Sequence, residues 1–290
     1  MQKSYISKMY STDQLRDYSA IFSRSEILRL LDNNFDSINA KINRYTLGKS
    51  FKGANYLKFF KKIYSILEKH YPNEYIYKNQ FLNTWLKKEL GNHGSIIFNE
   101  LRLGKSIADL AMFNGISKVF EIKTILDKEC RLLSQLDTYK KIFNEVYIII
   151  PISLLSKYEV YDPSVGIITY DDNEFVLKRE AGRNRIIDFE QLMEILHTHE
   201  YKQIVNGYYQ ELPEMDAFNQ FELCKILISK IPHEELNELF LSVIKQRKYN
   251  NNFFLGDNTE FNQICLSLNL NKKQIQSLMD NLNTTITQLN

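Results

Sequence analysis

At 290 residues and 34.3 kDa the chain is long enough for one large domain or two modest ones, and its 44% hydrophobic and 25% charged residues are the balance of an ordinary globular protein. A net charge of +2 gives no bulk signal for nucleic-acid binding, so any basic surface must be local. Cys130, Cys224 and Cys265 stand singly, which excludes zinc spacing and a disulfide framework; without a membrane-length apolar run or a signal-peptide core, a cytoplasmic protein with no membrane contact is expected.

Residues 1–20 are polar, tyrosine-containing and without strong periodicity. Residues 23–31 (SRSEILRLL) read as a short helix. Ser23 and Glu26 have the S-x-x-E spacing of a capping box, Ile27, Leu28 and Leu31 form the apolar stripe, and Asn33-Asn34 ends it. From 34 to 52 the Asn, Ser and Gly residues predict a loop or another short helix. A longer helix over 56–70 buries Leu57, Phe60, Ile63, Tyr64 and Leu67 and solvates Lys61-Lys62. The next, over 78–90, turns Phe81, Leu82, Trp85 and Leu86 inward, with Trp85 as a core anchor, and stops at Gly91-Asn92.

Strands follow. Residues 95–101 (SIIFNEL) form an apolar strand that carries Glu100 near its end. In 106–113 (SIADLAMF), alternation places Ile107, Asp109, Ala111 and Phe113 on one face and Ala108, Leu110 and Met112 on the other. Asn114-Gly115 supplies a turn, and 118–123 (KVFEIK) returns with Val119, Glu121 and Lys123 on a common side. A two-residue loop would set Asp109 opposite Phe120. A three-residue loop, Asn114 to Ile116, sets it opposite Glu121 and points both carboxylates the same way, so that loop or an equivalent bulge is expected.

Two adjacent carboxylates repel unless a cation lies between them, and Mg²⁺ prefers one or two carboxylates with waters and phosphate oxygens. Lys123 reaches the same side, to orient or deprotonate an attacking water or to stabilise charge in the transition state. Glu100 adds a ligand or holds a second ion. A lone Glu-x-Lys is usually solvated surface; the combination of an acid inside an apolar strand, a turn and Glu-x-Lys in matching phase points to chemistry.

Residues 127–143 have helical periodicity, which makes Gln135 and Tyr139 neighbours on one face. They either contact the substrate backbone or brace the acidic residues. Arg131, on the same side, meets a phosphate or an ordinary ion-pair partner. Residues 145–151 (EVYIIIP) are a buried strand, and 165–170 with 174–179 form a pair around Asp171-Asp172-Asn173. The segment 178–185 sets four cations, Arg179, Arg183 and Arg185 among them, against one acid. It is a phosphate-contact candidate or simply a solvated basic loop.

From 187 the pattern is helical: 188–200, 216–231, 233–247, 259–268 and 272–282, the later ones divided at Asn250-Asn251-Asn252 and Gly256-Asp257-Asn258. His197 and His199, two apart on a helix, diverge and read as surface residues. The last pair has the spacing of a helix-turn-helix without a basic, base-reading face, so a helical partner-binding or packing module is the expectation.

In order and approximate spacing, Glu100, Asp109 in IADLAMF, Glu121-Ile122-Lys123 and Gln135-x-x-x-Tyr139 resemble the PD-(D/E)xK nuclease superfamily, the last element being similar to that of its RecB-like branch. The pattern around EIKTILDKECRLLSQLDTYKKIF, with NEYIYKN at 73–79, resembles a family of bacterial nuclease-like proteins of largely undescribed function. The resemblance covers about 75 to 185. Ala108 stands where a proline often precedes the metal-binding aspartate, a variable position in the superfamily.

The resemblance implies an α/β fold with a restriction-endonuclease-like mixed sheet flanked by helices, to which the periodicity beyond 187 adds a helical C-terminal region. Three parts are then expected: an N-terminal helical segment to 53, a nuclease-like core over 54–187, and a helical domain over 188–290. It also implies that Asp109 and Glu121 hold Mg²⁺, which Mn²⁺ can replace, that the Ile122 carbonyl completes the coordination, and that Lys123 assists the water. The expected reaction is hydrolysis of phosphodiester bonds, in DNA first. The alternative is a catalytically silent scaffold that binds nucleic acid or a protein, and the C-terminal helices offer a surface for a protein partner or self-association.

Overall fold

The computed structural model describes residues 10–45, 51–90, 95–127, 131–172, 174–248 and 254–287. Cys130, Asn173 and the expected breaks at Gly91-Asn92 and Asn250-Asn251-Asn252 lie outside them. The chain divides into two units, Met1–Thr84 with Asn250–Asn290, and Trp85–Tyr249. This differs from the three-part division expected at 53 and 187.

The first unit opens with α1 (Thr12–Ala20), α2 (Arg24–Leu31) and α3 (Asp36–Arg44), the last in the stretch expected to be a loop or short helix. Ser23 caps α2 by accepting the Glu26 N–H at 3.3 Å. The expected box is only half made. The Glu26 carboxylate is buried and accepts from Ser37 Oγ at 2.9 Å and Lys41 Nζ at 3.3 Å, while the Ser23 N–H goes to the Ala20 carbonyl.

Helix α4 (Tyr56–His70) has its expected bounds and buries Phe59, Phe60, Ile63, Tyr64 and Leu67. Helix α5 (Glu74–Phe81) starts four residues before the expected helix because the Asn73 side chain accepts the Ile76 N–H at 3.0 Å. It continues into a π turn, Leu82–Leu86, where an extra residue rotates the stripe. Trp85 is half-buried, its indole N–H bonded to Glu89 Oε1 at 2.7 Å, so it is an edge residue and not the core anchor expected.

The second unit holds a sheet in the order β1-β2-β3-β4-β5-β6: β1 (Ile96–Leu103), β2 (Ser106–Phe113), β3 (Ser117–Ile122), β4 (Glu145–Pro151), β5 (Gly166–Asp171) and β6 (Glu174–Arg179). The first three strands are antiparallel, β3, β4 and β5 are parallel, and β6 returns antiparallel. A parallel β3–β4 pair requires a crossover, which α6 (Leu132–Lys140) makes. Leu132, Leu136, Tyr139, Ile142 and Phe143 join Val119, Val146, Ile148 and Ile167 in one apolar core.

That core extends into α7 (Phe189–Met193), α8 (Thr198–Tyr209), α9 (Gln220–Ile228) and α10 (His233–Ile244) through Leu192, Tyr201, Ile204, Cys224, Phe240 and Ile244. These helices therefore share the sheet's core and form no separate C-terminal domain. The expected helix over 188–200 is two. His197 caps α8 from outside it, so its ring lies nearly parallel to that of His199, centroids 5.9 Å apart, on the surface; the two do not diverge. The last helices, α11 (Asn262–Ser267) and α12 (Lys272–Leu282), belong to the first unit, where α12 packs on α2 and α4. No helix among the described residues is long and apolar enough to cross a membrane.

Asn144, 3% exposed, pins the start of β3 to the basic segment and to α10. Its Oδ1 accepts from Ser117 N–H and Oγ at 2.9 and 3.0 Å, and its Nδ2 donates to the Asn184 carbonyl and Asn237 Oδ1. Asn144→Ala strands these buried groups and is expected to cost about 2–4 kcal/mol in urea unfolding; a loss under about 0.5 kcal/mol would contradict the role.

Candidate active site

The β2–β3 turn sets the site. Phe113 pairs with Ser117, leaving Asn114, Gly115 and Ile116 in a three-residue loop, with Gly115 at φ +107°. The ladder runs to Leu110↔Phe120, and one step further along that register Asp109 faces Glu121. There the side chain replaces the backbone as acceptor: Asp109 Oδ2 takes the Ile122 N–H at 2.7 Å. The carbonyl of Ile122 points to the same side as its N–H, toward β2.

On the other flank, Asn99↔Leu110 and Leu101↔Ala108 bracket Glu100 and Asp109. Glu100 sits at φ +55°, a left-handed conformation that costs a non-glycine residue about 1–2 kcal/mol. The kink shifts the strand's phase, since Ile96 and Phe98 face the core before it and Leu101 and Leu103 after it. Ala108 accordingly joins Ala111 and Phe113 in the core, where simple alternation had placed it with Leu110 and Met112. Glu100 is exposed, across from Asp109 in the pairing and outside the buried cluster.

That cluster centres on Glu121, 2% exposed. Its Oε1 lies 2.7 Å from Lys123 Nζ and its Oε2 lies 2.8 Å from the Tyr139 hydroxyl. The hydroxyl is also 2.9 Å from the Ile107 carbonyl, a pure acceptor. Gln135 spans the gap at longer range, accepting from Lys123 and donating to Tyr139, both at 3.4 Å. Of the two roles expected for Gln135 and Tyr139, the geometry is that of the brace.

Burial first, then the Asp109 charge, push the Glu121 carboxyl up to about 7 against the pull of Lys123 and Tyr139. Proton counting agrees. A protonated Glu121 donates to Tyr139, which then donates to Ile107; an ionised Glu121 takes the hydroxyl's one proton and leaves that carbonyl without it. Burial alone would lower Lys123, but the Glu121 carboxylate, with Asp109 and Asp127, outweighs it and holds the ammonium above its usual range. Burial, followed by the charges of Glu121 and Asp109, raises Tyr139, so the phenol stays neutral.

The remaining candidates lie outside the buried cluster. Arg131 is exposed at the start of α6. Arg179 is a loop clamp, its guanidinium donating to the carbonyls of Val165, Glu159 and Asp162 at 2.8, 3.1 and 3.1 Å. Arg183 and Arg185 are exposed and line a cavity of about 320 Å³ with Asn144 and Glu234. Asn144 immediately precedes β4, whose Glu145 pairs with Lys118, whereas Glu121 pairs with Ile148. The basic segment is therefore at the opposite end of these strands, roughly 10 Å away at about 3.3 Å per residue.

The sequence reading missed Thr124 and Asp127. Asp127 Oδ2 accepts the Thr124 N–H at 2.6 Å and Thr124 Oγ1 accepts from Leu126, fixing the chain directly after Lys123. The Thr-x-x-Asp spacing was the available signal.

Among the described residues no three His, Cys, Asp or Glu side chains gather as a metal cluster. Two carboxylates with a main-chain carbonyl are nonetheless an all-oxygen donor set of the kind Mg²⁺ takes, and each Glu121 oxygen keeps a second lone pair. The pH dependence of folding tests the electrostatics. With a folded value of about 7 above the ordinary 4.5, the native state binds the extra proton between those limits. Stability at this site is then full below about 4.5 and lost as pH rises through 7. In EDTA, Glu121→Gln should flatten that decline; an unchanged slope would show that Glu121 ionises normally.

A family model described as bacteriophage P4 protein cII matches residues 68–281. No curated protein matches the chain. Among solved structures, the SPO1766 protein of unknown function from Silicibacter pomeroyi is 11% identical, with 47% of this chain and 93% of that one covered at a TM-score of 0.31, a likeness too slight to bear on function. The family match spans about three quarters of the sequence, and the chain belongs to the bacteriophage P4 protein cII family.

Proposed function

We propose that the Asp109–Glu121–Lys123 cluster is the centre of a Mg²⁺-dependent phosphodiesterase of the PD-(D/E)xK type, with DNA as substrate. The observation that carries this reading is the register that brings Asp109 opposite Glu121 with the Lys123 ammonium on the Glu121 carboxylate. Asp109, Glu121 and the Ile122 carbonyl would hold the ion, which when bound supplies Lewis acidity and a more acidic water. Lys123, kept charged, orients the nucleophile or meets charge on phosphorus-bound oxygen. Gln135 and Tyr139 hold Glu121 and Lys123 in place. Linear, circular, single- and double-stranded substrates with Mg²⁺ or EDTA form the test. Asp109→Ala and Glu121→Ala should each lower Mg²⁺-dependent cleavage at least about a hundredfold with the fold intact, and retained cleavage in both would refute the assignment.

A second reading is a silent scaffold. It is favoured by the occupancy of both Glu121 oxygens, by Lys123 at 2.7 Å and Tyr139 at 2.8 Å. Calorimetry separates the two, because the scaffold gives no Mn²⁺ or Mg²⁺ heat, whereas the enzyme gives heat that Asp109→Ala removes.

The helices after the sheet suit a protein partner or self-association. Phe218 is 96% exposed, with Phe221 and Ile226 exposed on α9 beside it in sequence. Phe218→Ser should reduce any self-association seen by sedimentation; an unchanged profile from an associating protein would exclude this patch.

A further inference from the structure

Three features meet at the proposed site. The reacting groups are recessed, with Glu121 2% and Lys123 9% exposed. The chain that leaves Lys123 exposes Ile125 and Leu126, and the first turn of α6, whose Gln135 touches Lys123, exposes Leu133; the three are 64%, 51% and 62% exposed. Exposed cations lie toward the same end of the strands: Arg102 and Lys105 flank the β1–β2 turn, where Ser106 Oγ lies 3.4 Å from Thr138 Oγ1 of α6, and Arg131 precedes α6.

The first two features favour an unpaired strand over a duplex. A double helix keeps its bases stacked inside and costs free energy to bend, so a recessed centre beside exposed aliphatic side chains suits it less well than an unpaired strand. A single strand does both: its backbone turns freely, its phosphates meet spaced cations, and its unstacked bases cover apolar surface.

We propose that the site takes an unpaired stretch of nucleic acid, with Arg102, Lys105 and Arg131 on its phosphates and Ile125, Leu126 and Leu133 against its bases. The inference rests on the phosphodiesterase reading and names the form of its substrate.

Binding tests it apart from catalysis. Full-length protein in EDTA is titrated into a fluorescent single strand of about 20 nucleotides and into a blunt duplex of the same sequence, with anisotropy as the readout. The single strand should bind at least about tenfold more tightly, and Ile125→Ser/Leu126→Ser should remove about tenfold of its affinity while leaving duplex affinity unchanged. Both positions are solvent-exposed, so the circular dichroism of the double variant should match the parent. Equal affinity for the two forms, or a preference that survives the double substitution, overturns the proposal. So does a double variant altered only in its oligomeric state, which would make the patch a protein contact. Mg²⁺ addition completes the separation of the two readings. A single-strand preference without cleavage retains this inference and removes the phosphodiesterase, whereas cleavage of blunt duplex without any preference removes this inference alone.

Discussion

One turn residue sets the geometry of the site. The loop between β2 and β3 holds three residues, Asn114, Gly115 and Ile116, and that count fixes the strand phase. With two, Phe120 would face Asp109 and the lysine and glutamate would lie in another phase. With three, the backbone ladder ends at Leu110↔Phe120, and the Asp109 carboxylate takes the Ile122 N–H that the next rung would have bound. The aspartate is thus at once a ladder substitute and a charge held beside Glu121. Its position follows from hydrogen-bond bookkeeping along the sheet, because a strand N–H near the core requires an acceptor.

The second constraint is the cost of burying Glu121. A carboxylate removed from water beside another carboxylate must be protonated, paired or metal-bound. Lys123 offers pairing, yet the repulsion from Asp109 remains, and the carboxyl still titrates near 7. Tyr139 completes the shell, and since its phenol resists ionisation it contributes hydrogen bonds and no further charge. A fully charged set of Asp109, Glu121 and Lys123 carries one net negative charge in a recess, which attracts cations and protons alike.

Much of this was legible in the chain. The apolar alternation and the Asn-Gly signal located the hairpin, and the matching of Asp109 with Glu121 followed once a turn length was chosen. The i, i+4 spacing of Gln135 and Tyr139 put both on one helix face, where they bond each other. What alternation cannot reveal is a local break in it. Glu100 reads as one more strand residue, but its left-handed backbone slips the phase of β1 and leaves Glu100 exposed. Capping chemistry was similarly half visible: Ser23 caps α2 as its spacing suggests, while Glu26 turns to Ser37 and Lys41, distant partners that an S-x-x-E pattern does not encode. The π turn at Leu82–Leu86 likewise has no spacing signature, and it moved Trp85 to an edge.

The division of the chain was least legible, for a physical reason. An amphipathic helix advertises one apolar stripe and says nothing of what covers it. The stripes of α8 and α10 close on the sheet's own core through Tyr201, Ile204, Phe240 and Ile244, while the stripe of α12, with the same spacing, packs on α2 and α4. The same limit explains the basic segment. Counting cations along 178–185 marks a charged loop, but β6 runs antiparallel to β5, so the loop emerges at the end of the parallel strands away from Glu121. Arg179 then folds back onto three carbonyls, while Lys178, Arg183 and Arg185 remain exposed. Charge density in sequence becomes a binding surface only where topology delivers it. At the acidic end the exposed cations are Arg102, Lys105 and Arg131, which are scattered along the chain.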